Sequence, residues 1–354
     1  MKILVLPGDG IGPEITAAAL VVLDRANARY KLGLAWQRDE VGLQALRKEG
    51  TTLPARVMEA ARALPGVILG PLSTIDYPPR EQGGINASGA MRIAFDLYAN
   101  VRPAKSRLGV GLTGKAIDLV IYRENTEGFY ADRNMHLGLG EFMPTEDMAL
   151  AVRRVTAKCC ERIARRAFEA AMTRTKRVTA VHKANIFKIS DGLFLREVRK
   201  VAREFAEVRV EEVLVDAMAA LLVRQPDRYD IIVTENMYGD ILSDEASELS
   251  GGLGLAGSIN AGDEHCVAQA QHGSAPDIAG QNKANPVSLI LSAAMLLEWL
   301  GARHGRRDLS EAGQAIETAV DATLKNPATR TADLGGMLGT RAFAEAVAGR
   351  LEAR

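Results

Sequence analysis

A chain of 354 residues is long enough for two lobes and a large core. Its 44 Lys and Arg balance 44 Asp and Glu, so no global field points to nucleic acid or an anionic membrane as a partner. The three cysteines, adjacent Cys159 and Cys160 and distant Cys266, make no disulfide framework. With no apolar run of membrane-spanning length and an N-terminus that reads as a strand, a cytoplasmic protein is predicted.

Residues 2–6 read as a buried strand, followed by a glycine-rich turn at 7–13 and a helix over 14–29. The spacing Gly8-x-Gly10-x-Gly12 is not the dinucleotide fingerprint, and Pro13 sits where its third-glycine region belongs, so a Rossmann fold is rejected. A short strand is predicted at 66–71, a long loop at 72–89 and helical periodicity over 90–98. Further on, 118–122 reads as a strand, 132–144 as a polar excursion, and 146–171 as a long helix able to pack against a partner subunit. Strands at 177–181 and 208–213 flank a helix at 192–204. This alternation indicates an α/β protein.

The run 229–234 reads as a buried strand, after which Gly239 supplies a turn and Asp240 opens an amphipathic helix. Asp240 and Asp244, four apart, would project from one helical face. Two such carboxylates suit a hard cation such as Mg²⁺ or Mn²⁺, or else a helix-dipole Asp and a solvated neighbour.

The stretch Asn236-Met-Tyr-Gly-Asp-Ile-Leu-Ser-Asp244, with Gly251-Gly-Leu-Gly-Leu255 after it, resembles the signature of the β-decarboxylating dehydrogenases. That family comprises isocitrate, 3-isopropylmalate, homoisocitrate and tartrate/D-malate dehydrogenases. The resemblance runs from Leu6-Pro-Gly-Asp-Gly-Ile-Gly-Pro-Glu14 to Asp333-Leu-Gly-Gly336. It implies the isopropylmalate/isocitrate dehydrogenase-like α/β fold with the active-site cleft between two lobes. Residues 1–98 and 251–354 would form a discontinuous cofactor-binding domain, and 99–250 a smaller one with the metal site and dimer contact.

Arg92, Arg102 and Arg123 have the residue type for bidentate carboxylate binding. Arg123 ends a buried strand, where it points into a cleft or pairs with Glu124. In the family these positions bind the malate moiety. Tyr130 and Lys183 match the family's acid–base pair, and Asn185 its asparagine near cofactor and substrate. Burial at a strand end beside a metal would lower the Lys183 pKa. Asp216 matches a third metal carboxylate. In the family that aspartate and the lysine come from the neighbouring subunit, which implies a homodimer with shared sites; further association is left open.

The resemblance places NAD⁺ on His272-Gly273-Ser274-Ala275-Pro-Asp277-Ile278, on Asn285 and on Thr74, with the 7–13 turn near the adenine. Asp277 can accept hydrogen bonds from both ribose hydroxyls and would repel a 2′-phosphate, so NAD is preferred over NADP. Where relatives often carry Phe-Glu-Pro-Val before the His-Gly, this chain has Ala268-Gln-Ala-Gln271. That departure bears on local cofactor-loop contacts.

Asn86-x-Ser88 is polar where isopropylmalate enzymes place leucines, at Ser88 and Gly89. An apolar substituent would leave both side chains poorly satisfied. The expected reaction is therefore NAD-dependent oxidative decarboxylation of a 3-substituted malate, favouring isocitrate or homoisocitrate over isopropylmalate, D-malate or tartrate. A regulatory, non-catalytic subunit would be expected to lack acid–base or metal residues. This chain retains Tyr130, Lys183 and all three aspartates.

Overall fold

The computed structural model describes all residues except 108, 112, 113, 131–134, 136, 137, 353 and 354, and the side chain of 352. The chain divides into two compact units, one of residues 1–95, 107–111 and 251–354, the other of 96–106 and 112–250.

The first unit opens with β1 (Lys2–Leu6), α1 (Gly12–Tyr30), β2 (Ala35–Arg38), α2 (Leu43–Glu49), α3 (Ala55–Ala63), β3 (Gly66–Leu69) and α4 (Ala87–Ala94). The second contains β4 (Ala99–Lys105), β5 (Asp118–Glu124), β6 (Glu141–Thr145), β7 (Met148–Ala151), α5 (Ala157–Met172), β8 (Arg177–His182), α6 (Ser190–Ala202), β9 (Arg209–Leu214), α7 (Val215–Arg224), β10 (Ile231–Thr234) and α8 (Asn236–Ser250). The first unit then closes with β11 (Ile259–Ala261), β12 (Cys266–Gln269), α9 (Val287–His304), α10 (Arg307–Lys325) and α11 (Thr340–Glu352).

Within the first unit the strands lie in the order β2-β1-β3-β12-β11, parallel except for the last pair. In the second unit the order is β4-β5-β10-β8-β9, with only β4 and β5 antiparallel. The inner strands β8 and β10 bury apolar residues on both faces, as helix-covered parallel strands must. Val178, Ala180, Ile231 and Val233 pack in one core with α5 and α6. The alternate residues Val181 and Ile232, with Leu119 and Ile121, pack in another with α7 and α8.

Four stretches differ from expectation. Residues 146–171 are not one helix: β7 pairs antiparallel with β6 in an exposed ribbon, and the helix starts only at Ala157. Thr156 fixes that start, its hydroxyl accepting from the Cys159 amide at 3.3 Å while Glu127 holds its own amide at 2.8 Å. The predicted 132–144 excursion lies partly outside the described residues and otherwise runs into β6. The 72–89 loop carries 3₁₀ turns at Thr74–Asp76 and Arg80–Gln82, and α4 begins at Ala87, capped by Asn86.

Gly239 is the fourth. It lies inside α8, not in a turn. A Cβ there would stand 2.7 Å from both Cβ and Cγ of Arg123. Glycine is required because the Arg123 side chain passes directly over the helix backbone.

Candidate active site

In the second unit, Arg123 of β5 stands opposite Thr234 of β10, Thr234 opposite Val181 of β8, and His182 opposite Leu214 of β9. Arg123, the start of α8, Lys183 and Asp216 therefore all leave the carboxyl ends of neighbouring strands. Open α/β sheets bind ligands at that edge.

Arg123 is almost fully buried, with its side chain 2% exposed. Its Nε donates to Asn236 Oδ1 at 2.9 Å, one Nη donates to Asp240, and the other donates to the Tyr130 hydroxyl at 2.8 Å. The tyrosine in turn donates to Asp240 Oδ2 at 2.5 Å. Glu124, the alternative partner for Arg123, instead accepts from the amides of Thr126 and Glu127 at 2.9 Å. Arg102 Nη1 lies 3.1 Å from a carboxylate oxygen of both Asp240 and Asp244, and donates to Ser243 Oγ at 2.7 Å. Burial, then the like charge of Arg123, push the Arg102 pKa down to about 10.

Asp240 and Asp244 thus share one face of α8, as their spacing predicts, with cationic charge between them. Two half-exposed hard oxygen donors already bridged by a guanidinium fit a divalent cation as two of its ligands. Asp216 is in a different place. It is exposed on α7 and forms an ion pair with Lys183. Among the described residues, no three His, Cys, Asp or Glu side chains come together to hold a metal. The candidate residues of this unit therefore form two constellations: Arg102, Arg123, Tyr130, Asp240 and Asp244, and Lys183 with Asp216. Asn185 is exposed two residues beyond Lys183.

In the first unit, Asn86 Oδ1 caps α4 by accepting from Gly89 N at 3.2 Å, while Ser88 Oγ donates to Gln269 Oε1 at 2.7 Å. Arg92 is half-buried in the last turn of α4. Gln269 lies in the 268–271 stretch that departs from the family pattern, so the departure touches a substrate candidate as well as the cofactor loop.

Of the predicted cofactor residues, Ser274 is cross-linked to the 7–13 turn and to the segment before Thr74. Ser274 accepts from Ile11 N at 2.8 Å through its carbonyl and from Ser73 Oγ at 2.7 Å through its hydroxyl. A Cβ on Gly10 would fall 2.0 Å from that carbonyl, which is why the 7–13 turn is glycine-rich. Asp9, which sequence reasoning missed, is buried and accepts from Leu43 N, Ser73 N and Tyr77 Oη at 2.7, 3.0 and 2.6 Å. It ties the turn to the Thr74 segment. His272 hydrogen-bonds the Gly273 carbonyl at 2.9 Å, and burial lowers its pKa. Ala275 takes a left-handed conformation leading into the 3₁₀ turn Pro276–Ile278, where Asp277 is exposed. Asn285 donates to Asp333 Oδ2 at 2.9 Å and caps Val287 N at 3.0 Å.

The site of the second unit thus gathers guanidinium groups and a phenol around paired carboxylates. The isocitrate/isopropylmalate dehydrogenase family model matches residues 2–347. The isocitrate/homoisocitrate dehydrogenase of Thermus thermophilus is 42% identical over 348 residues, spanning 98% of this chain and 97% of the relative. The 3-isopropylmalate/3-methylmalate dehydrogenase of Methanocaldococcus jannaschii is 39% identical over 355 residues, 99% and 98% of the two chains. An isocitrate dehydrogenase structure from Methylococcus capsulatus superposes with a TM-score of 0.87 at 39% identity, covering 99% of each chain. The protein belongs to the isocitrate/isopropylmalate dehydrogenase family and is a decarboxylating hydroxy-acid dehydrogenase. Among the described residues, no helix is long and apolar enough to cross a membrane.

Proposed function

We propose that the protein catalyses NAD-dependent oxidative decarboxylation of a 3-substituted malate, with isocitrate or homoisocitrate preferred. The supporting observation is the cluster in which Arg123 and Tyr130 both reach Asp240 while Arg102 spans Asp240 and Asp244. Arg102 and Arg123 bind the malate carboxylates, releasing their present hold on the aspartates, and Arg92 supplies a further guanidinium. Lys183 Nζ accepts the proton of the substrate hydroxyl. Tyr130 Oη delivers a proton to the carbon that has lost CO₂. Asp240, Asp244 and Asp216 would hold Mg²⁺ or Mn²⁺, which when bound would supply Lewis acidity for the oxidation and the decarboxylation. The His272–Ile278 segment, Asn285 and Thr74 hold NAD⁺, which when bound supplies the hydride acceptor.

Lys183 and Asp216 pair with each other, away from Asp240. In our reading they complete the site of a second copy of the chain, so the working unit is a homodimer. The preference for a polar substituent draws on Ser88 and Gln269, a hydroxyl–amide pair with hydrogen-bonding groups to offer. Side-by-side kcat/KM with NAD⁺ on isocitrate, homoisocitrate, isopropylmalate, D-malate and tartrate tests this reading. Selective turnover of isopropylmalate would overturn the substrate preference. Failure with all five would overturn the activity and favour a regulatory subunit.

A further inference from the structure

Arg153, which has no part in the chemistry above, is the hub of a buried network beneath the second unit's candidate residues. Its side chain is 7% exposed. The guanidinium carbon stands 5.4 Å from the Phe129 ring centroid, 5.1 Å from that of Phe187 and 5.4 Å from that of Tyr238. Its Nη1 lies 2.5 Å from Asp191 Oδ1 and donates to Ser190 Oγ at 3.2 Å, and Nη2 lies 3.6 Å from Glu235 Oε2. Asp191 and Glu235 are themselves 2% and 9% exposed. An arginine enclosed by three rings and two buried carboxylates is fixed in place, because each carboxylate depends on it for compensation.

What it fixes is the backbone on either side of the reacting groups. Phe129 precedes Tyr130. Tyr238 lies two residues before Asp240, and Glu235 Oε1 accepts from its amide at 3.3 Å at the start of α8. Asp191 Oδ2 accepts from the backbone amide of Lys183 at 2.5 Å. One guanidinium therefore contacts, directly or through a single carboxylate, the segments carrying the phenol, a metal-binding aspartate and the lysine.

We propose that Arg153 is a positioning residue for the acid–base pair, setting Lys183 through Asp191 and Tyr130 through Phe129. The proposal rests on the roles given to Lys183 and Tyr130 above. Lysine at 153 keeps the charge but not the planar fork, asparagine at 191 keeps an acceptor but not the charge, and leucine at 187 removes one ring from a partly exposed position.

The test uses the full-length protein carrying Arg153→Lys, Asp191→Asn or Phe187→Leu, with Lys183→Ala as a control. In folded variants, kcat is expected to fall about tenfold or more for Arg153→Lys and Asp191→Asn, and about threefold for Phe187→Leu. KM for the acid and for NAD⁺ should stay within about threefold, and the midpoint of the kcat–pH profile should shift in the first two. An unchanged kcat and pH profile in the folded variants, with Lys183→Ala inactive, would overturn the positioning role alone. Near-native turnover by Lys183→Ala would overturn the site reading itself and the proposal with it. Should the buried variants fail to fold, Phe187→Leu decides: unchanged kcat rejects the role.

Discussion

Tyr130 donates a 2.5 Å hydrogen bond to Asp240, so the candidate proton donor and a candidate metal ligand already touch. A divalent cation taking Asp240 would compete for that carboxylate and leave the phenol free to turn to the substrate. Arg123, donating to both, holds them in register.

Tyr130→Phe removes the hydroxyl and leaves the ring. Kcat is expected to fall about 10²–10⁴-fold, the usual worth of a placed acid or base. Steady-state kinetics with the preferred acid checks this, with KM for NAD⁺ unaffected. A loss of less than about fivefold would remove Tyr130 from the chemistry.

Gly239→Ala drives a methyl into Arg123 inside a packed helix–sheet contact. The expected cost is about 1–3 kcal/mol of stability, seen as a lower Tm, with a loss of turnover as Arg123 shifts. A variant with parental Tm and kcat would show that the approach is not tight.

These two cases show what the chain discloses before it folds. Strands β1, β3, β5, β8, β9 and β10, the α/β alternation and the pairing of Asp240 with Asp244 on one helical face follow from period and spacing, since each depends on a local pattern. Gly239 was legible only as a flexible residue, because the side chain that excludes a Cβ comes from a strand more than one hundred positions earlier. The same limit applies to Asp9 and Gln269, whose partners are distant in sequence. Residues 146–151 misled for another reason. Their apolar and charged residues suit a helix as well as a ribbon, and strand pairing decides between them.

Glu298 gives a pH signature. Burial, then the neighbouring Glu317, raise its carboxyl from 4.5 to about 7. Between those values the folded chain keeps a proton that the unfolded chain releases. The stabilisation is complete below about pH 4.5 and is lost as pH rises through about 7. Glu298→Gln should leave stability near about pH 5 little changed and raise it at about pH 8 by about 1–3 kcal/mol. Denaturant melts at the two pH values check this, and an equal shift at both would contradict it.

Asp277 stands exposed on its 3₁₀ turn. Asp277→Asn keeps the size but removes the charge that would repel a 2′-phosphate. The expected result is a fall of about tenfold or more in kcat/KM for NAD⁺ together with a rise for NADP⁺. An unchanged ratio between the two cofactors would place the ribose elsewhere.

The separation of Lys183 and Asp216 from Asp240 within one chain is the feature on which the proposed shared site turns, because under that proposal a second copy completes each site. Mixing inactive Tyr130→Phe with inactive Lys183→Ala, under conditions that let subunits exchange, measures it directly. Random exchange should restore about one quarter of parental activity, since half of the dimers are mixed and each mixed dimer regains one intact site. No recovery, with exchange verified by a mass tag, would mean that each chain builds its site alone.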